Sequence, residues 1–180
     1  MRIVSGIYKG RHFDVPPTFK ARPTTDFAKE NLFNILQAQG VFDSSPRAID
    51  LFAGTGSISL ELLSRGCRPV VSVEMDRDHV RFLSRTARQL GDPEWHIVHA
   101  DVFRIVRQPR GAFHLVFADP PYALPQLPQL PGMILDSGLM TADGLLIVEH
   151  GKTNDFSAMP QFTDQRVYGS VHFSFFRNVL

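Results

Sequence analysis

From about position 47 onward, apolar runs of strand length alternate with segments of helical period. The runs are 48–52, 70–74, 97–100, 113–118 and 145–149. Helical periodicity falls at 57–65, 77–90, 102–107 and 130–139. Such alternation predicts a mostly parallel α/β sheet with helices wound on both faces. Two last runs, 165–168 and 171–176, flank Gly169-Ser170 and predict an antiparallel hairpin closing one edge. At the other end, 2–5 and 11–15 read as short strands around a turn from Gly6 to Gly10. After Pro16-Pro17, a helix is expected from a cap at Thr25 or Asp26, with Phe27, Leu32, Phe33, Ile35 and Leu36 on one side, ending before Gly40. We therefore expect a hairpin-and-helix extension, residues 1–40, packed on a body formed by residues 41–180.

Composition narrows the class. A chain of 180 residues with 43% hydrophobic content fits one globular core. No run approaches the roughly 20 apolar residues that span a bilayer, and no apolar stretch follows a basic start, so a soluble cytoplasmic protein without a membrane partner is expected. The lone Cys67 excludes an internal disulfide and reads as an apolar filler. His96 and His99 point to opposite faces of a strand, and no Cys or His pair has zinc spacing, so no metal is expected. Charge is uneven. Residues 1–25 carry five Lys and Arg against Asp14 alone, a net +4 beside a net −3 for the remainder. A basic arm containing Lys9, Arg11 and Arg22 is a candidate footprint for RNA phosphates.

Candidate chemistry clusters where the strands end. Asp50-Leu51-Phe52-Ala53-Gly54-Thr55-Gly56-Ser57 leads a strand through a glycine turn into a helix, the usual ligand position at the carboxyl edge of an open sheet. Glu74 closes the next strand 20 residues beyond Gly54, where a carboxylate can bind ribose hydroxyls. Ser59 replaces the third glycine of a dinucleotide fingerprint, which argues against nicotinamide binding. Asp119-Pro120-Pro121-Tyr122 follows the run 113–118. Asp119 can accept one hydrogen of a planar exocyclic amine, and the Pro120 carbonyl the other, because proline brings no competing N–H. Tyr122 offers a stacking face. This set suits methyl transfer to a nucleobase nitrogen.

The ordered set of Asp50 to Ser57, Glu74, Asp101 and Asp119 to Tyr122 resembles the S-adenosylmethionine-dependent amino-methyltransferases. More narrowly, Arg2-Ile3-Val4-Ser5-Gly6 with Lys9-Gly10-Arg11, then Arg22-Pro23-Thr24-Thr25-Asp26 and Glu30-Asn31-Leu32-Phe33-Asn34, resembles the RsmD family of bacterial 16S ribosomal RNA guanine-N2 methyltransferases. The resemblance implies a Rossmann-like class I methyltransferase fold with a seven-stranded sheet and S-adenosylmethionine as cofactor, leaving as S-adenosylhomocysteine. It implies that Gly54, Gly56 and the nearby backbone hold the methionine end, with Asp50, Phe52, Ala53, Ser57 and Met75 also among the cofactor-binding residues. Glu74 would bind the ribose, Asp101 would accept from the adenine amine with Val102 beside the ring, and the segment from Arg22 to Thr25 would help close the pocket. The implied partner is ribosomal RNA in the small subunit.

Two departures stand out. Phe27 and Ala28 occupy positions where many relatives carry basic or branched residues, and the loop 124–132 holds three prolines. The competing readings are a DNA adenine-N6 or cytosine-N4 methyltransferase, which shares Asp-Pro-Pro-Tyr, and a non-catalytic RNA-binding assembly factor that keeps the fold.

Overall fold

The computed structural model describes residues 1–19 and 24–179. Seven strands form one sheet: β1 (Ala48–Leu51), β2 (Val70–Glu74), β3 (Trp95–His99), β4 (Phe113–Ala118), β5 (Met140–His150), β6 (Phe162–Tyr168) and β7 (Val171–Arg177). Their spatial order is β3-β2-β1-β4-β5-β7-β6. The first five run parallel, whereas β7 pairs antiparallel with both β5 and β6. The α/β sheet with a C-terminal antiparallel hairpin is thus as expected. The order of winding, not the strand direction, reverses between the β1-β2-β3 half and the β4-β5 half, which opens a crevice beyond the carboxyl ends of β1 and β4.

Among the described residues the α-helices are α1 (Asp26–Ala38), α2 (Ser57–Ser64), α3 (Arg77–Leu90), α4 (Val102–Arg107) and α5 (Leu130–Asp136). One apolar layer joins α1 and α2 with Leu83 and Leu90 of α3 and with side chains of β4, β5 and β7. A second, on the opposite face, joins Val102, Val106, Leu130, Ile134 and Leu135 to other residues of the sheet. Burying a large aliphatic or aromatic side chain is worth about 1.5–3 kcal/mol, against about 0–1 for an exposed ion pair. These two layers therefore hold the sheet and position its strand ends.

Several elements differ from the periodicity. In α1 the buried face is Ala28, Lys29, Leu32, Phe33 and Leu36. Phe27 is 66% exposed and meets Tyr168 edge-on. A lysine in the buried stripe is what periodicity alone misses. The helix expected over 130–139 is preceded by a 3₁₀ turn, Leu127–Gln129, and starts at Leu130 as the shorter α5, ending at Asp136. After it the chain turns through Gly138 into a β5 that begins at Met140, five residues earlier than expected.

The N-terminal pairing is shorter than expected. It is a single bridge between Arg2 and His12, extended by Ile3 N–H to the Arg11 carbonyl at 3.0 Å and Phe13 N–H to the Met1 carbonyl at 2.9 Å. Its turn is seated on α2. Val4 and Ser5 donate their N–H groups to the Glu61 carboxylate at 2.9 and 3.1 Å, and Tyr8 N–H donates to Ser64 Oγ at 3.0 Å. Gly6 (φ +89°) lies so close to the Ser64 carbonyl that a Cβ would fall 2.0 Å from its oxygen. Lys29 reaches beneath this segment, donating to the Arg2 carbonyl at 2.8 Å and to Ser57 Oγ at 3.0 Å.

Candidate functional site

Beyond the carboxyl ends of β1, β2, β3, β4 and β5 lies a cavity of about 750 Å³, within the usual range for small-molecule sites. The turn after β1 forms its floor. Gly56, at φ +83°, caps α2 and sits against Leu83 and Trp95; a Cβ there would come 2.6 Å from the Leu83 side chain. Phe52 adopts φ +61°, a conformation costly for a residue with a Cβ, and its side chain lines the cavity.

Asp50, Phe52, Ala53, Gly54, Ser57, Glu74, Met75, Asp101 and Val102 all face this cavity. Glu74 accepts the Gly54 N–H at 3.1 Å and the Asp76 N–H at 3.2 Å, so one carboxylate braces the loops after β1 and β2. Each oxygen retains acceptor capacity for a ribose hydroxyl. Asp101 caps α4 by accepting the Phe103 N–H at 2.9 Å and still lines the cavity, so capping and ligand contact coexist.

Asp50 lies at the end of a buried relay. Trp95 Nε1 can only donate, and it donates to Ser72 Oγ at 2.8 Å. Ser72 is thereby left to donate to Ser59 Oγ, 2.5 Å away, and Ser59 to Asp50 Oδ2. Burial pushes the Asp50 carboxyl up to about 7; the donations from Ser59 oppose that rise, and the nearby Glu74 charge adds to it.

The second half of the cavity is built at the ends of β4 and β5. Asp119, Pro120, Pro121 and Tyr122 line it, with Asp119 N–H anchored to the Leu51 carbonyl at 3.3 Å. Glu149, 2% exposed, lines it too. It accepts the Tyr122 hydroxyl at 2.9 Å and the Thr24 hydroxyl at 2.6 Å, while Thr24 Oγ1 lies 3.5 Å from Asp119 Oδ2. The Tyr122 ring packs over Gly151, where a Cβ would lie 3.2 Å from its Cδ2 atom.

Some expected residues fall elsewhere. Thr25 does not line the cavity: its hydroxyl accepts the Ala28 N–H and caps α1, and the neighbouring Thr24 takes the place facing inward. Gly56 is structural support behind the floor. Arg22 lies outside the described residues. Lys9 and Arg11 are exposed on the N-terminal turn, which is seated on the Glu61–Ser64 end of α2, whereas the cavity touches its Ser57–Ile58 end. Sequence reasoning misses Glu149, and places Thr24 only as part of the segment 22–25 that closes the pocket. A carboxylate ending a buried apolar run is the available signal for Glu149, the same signal that marks Glu74.

Among the described residues no cluster of His, Cys, Asp and Glu could hold a metal ion, and no helix is long and apolar enough to cross a membrane.

Comparison with known proteins agrees with this arrangement. The family model described as conserved hypothetical protein 95 matches residues 1–177. Ribosomal RNA small subunit methyltransferase D of Escherichia coli K12 is 31% identical over 160 residues, covering 89% of this chain and 79% of that protein. The structure of a hypothetical protein from Thermus thermophilus superposes with a TM-score of 0.84 at 31% identity, covering 98% of each chain. A Salinibacter ruber RNA methyltransferase, solved in complex with S-adenosyl-L-homocysteine, shares the Rossmann-like fold at a TM-score of 0.67 and 14% identity, covering 88% of this chain and 94% of that one. With a family match that runs through all seven strands and both halves of the cavity, the chain belongs to the conserved hypothetical protein 95 family, the RsmD family of ribosomal RNA small subunit methyltransferases.

Proposed function

We propose that this protein transfers a methyl group from S-adenosylmethionine to the exocyclic N2 of a guanine in 16S ribosomal RNA, presented by an assembled or assembling small subunit in the cytoplasm. The observation that carries the reading is the meeting, in one cavity, of the glycine turn and Glu74 with Asp119-Pro120-Pro121-Tyr122. The cavity fits the cofactor in chemistry as well as size. Glu74 offers a carboxylate to the ribose, Asp101 and Val102 offer an acceptor and an apolar wall to the adenine, and Asp50 offers an anion to the cationic methionine end. When bound, the cofactor supplies a methyl group on a sulfonium, already electrophilic and in need of no metal.

The residues of the chain then have to position the nucleophile, a task that can contribute roughly 7–11 kcal/mol to lowering the barrier. Guanine N2 is weakly nucleophilic because its lone pair is delocalised into the ring. Hydrogen bonds from that amine to Asp119 and the Pro120 carbonyl favour a pyramidal nitrogen, and the Asp119 charge opposes the positive charge that develops there. The proton leaves late, to Asp119 or solvent. Tyr122 is braced by Glu149 and Gly151, so its face is held ready to stack on an extruded base. Stacking returns about 1–3 kcal/mol of the few kcal/mol that unstacking costs. An accessible guanine is therefore favoured over one in a stable duplex.

Asp119→Ala tests the assignment. Methyl transfer to small-subunit RNA should fall by on the order of 10²–10³-fold, while cofactor affinity, measured calorimetrically, stays within about twofold of the parent's, since Asp119 is assigned to the base. Undiminished transfer would refute its role.

A further inference from the structure

The cations of the N-terminal turn are seated away from the cavity, and α3 supplies what lies between. Arg77, Arg81, Arg85 and Arg88 are all exposed. At 100° per residue they fall within an arc of about 80°, opposite the buried Leu83, Thr86 and Leu90. At the start of the helix, Arg77 lies between Asp76 and His79, both of which line the cavity. At its far end, Arg11 of the N-terminal turn reaches the Gln89 carbonyl at 3.4 Å, and Arg11, His12, Arg85 and Gln89 line a second, polar groove of about 530 Å³. From Arg77 to Arg88 the helix rises about 16 Å.

The charge on this face is not consumed internally. Among the described residues only Arg81 of the four has an ion-pair partner, Asp78 at 3.5 Å, and both side chains are more than 70% exposed. Of the acids near this face, Asp76 is engaged by His79 at 2.9 Å, Asp14 lies 3.4 Å from His12, and Asp92, just past the helix, pairs with Arg68 at 3.4 Å. Helix energetics favour acids rather than Arg77 and Arg81 in the first turns, where the dipole is positive. The arginine stems lie partly against rings, with the Arg85 guanidinium 5.8 Å from the Phe82 centroid and that of Arg11 5.6 Å from Phe13.

We propose that the outer face of α3 is a phosphodiester-binding rail, along which an RNA strand is held between the N-terminal turn and the cavity that receives the target base. The inference rests on the RNA-methyltransferase reading above and adds the contact surface to it. Guanidinium groups suit this task because each can fork two hydrogen bonds to one phosphate. A rail of this kind contributes affinity and register without reading sequence, so the choice of base stays with the cavity.

The test is the salt dependence of binding to deproteinised small-subunit ribosomal RNA for the parent, for the triple variant Arg77→Gln, Arg85→Gln, Arg88→Gln, and for a control, Arg107→Gln, Arg110→Gln, which removes exposed arginines at and beyond the far end of α4. Each lost phosphate contact should flatten the slope of log K against log salt by about 0.7–0.9. The triple variant is therefore expected to lose about two to three units of slope and to raise KM for RNA at least tenfold, with cofactor Kd and thermal midpoint unchanged. The control is expected to keep the parent's slope. A triple variant with the parent's slope overturns the rail, as does a control that flattens equally. Parent protein that binds with a steep slope the triple variant lacks, yet transfers no methyl group to undermodified small subunits, overturns the methyltransferase reading and leaves the rail standing.

Discussion

Asp50 is a residue whose buried surroundings oppose its charge. Its carboxyl is pushed up to about 7, against about 3.9 in an unfolded chain. Between those values the folded protein keeps a proton that the unfolded chain releases, so this group's contribution to stability falls as pH rises from about 4 through 7 and is constant above. Asp50→Asn should remove that fall, and thermal unfolding of the variant and the parent at pH 5 and pH 8 would show it; a variant whose midpoint difference from the parent is the same at both pH values would contradict it. Because the anionic form faces the proposed position of a cationic methionine end, cofactor affinity should strengthen between pH 6 and 8 in the parent and lose that dependence in Asp50→Asn, as read by calorimetry at each pH. At Tyr122 the ring and the hydroxyl have separable roles. Tyr122→Phe keeps the stacking face and should cost little, whereas Tyr122→Ala should raise KM for RNA by the loss of about 1–3 kcal/mol of stacking. Equal effects would contradict the ring's role.

At the scale of elements, the seat of the N-terminal turn on α2 depends on one buried carboxylate. Glu61 accepts two backbone N–H groups and pairs with Arg65 at 3.1 Å and more distantly with Lys29 at 3.9 Å. Burial pulls the Lys29 ammonium below its ordinary range, and Glu61 is the largest influence opposing that pull. Glu61→Ala leaves buried cations and donors without their acceptor, so we expect a loss of about 3–5 kcal/mol in denaturant unfolding. Amide exchange should accelerate at Val4 and Ser5; unchanged protection there would show that the seat lies elsewhere. The same network explains why the buried face of α1 escapes the periodicity, since a stripe containing Lys29 does not look apolar. By contrast, β2, β4, α3 and α4 begin and end where periodicity places them. Their apolar runs are bounded by polar residues or N-caps, Asp76 for α3 and Asp101 for α4. The early start of β5 is hidden by Asp143, at φ +59°, and Gly144, which interrupt the apolar pattern in mid-strand.

Across the whole molecule, the cavity draws on the ends of five strands that lie far apart in the chain. The motifs at Asp50 to Ser57, Glu74 and Asp119 to Tyr122 are legible in the sequence because each is local: a strand, a turn and a polar group within a few residues. Glu149 is not, since its role exists only when β5 is laid beside β4 and Thr24 is brought against it. The rail on α3 is likewise invisible in the charge count, because its four arginines lie outside the basic arm and acids elsewhere balance them. The central claim is that these strand ends join an activated methyl group to the exocyclic amine of a guanine. It is tested most directly by incubating the protein with radiolabelled S-adenosylmethionine and undermodified small ribosomal subunits, then digesting the RNA to nucleosides. Label is expected in N2-methylguanosine from a single site in 16S RNA; label in N6-methyladenosine or N4-methylcytidine, or none in RNA at all, would overturn the claim.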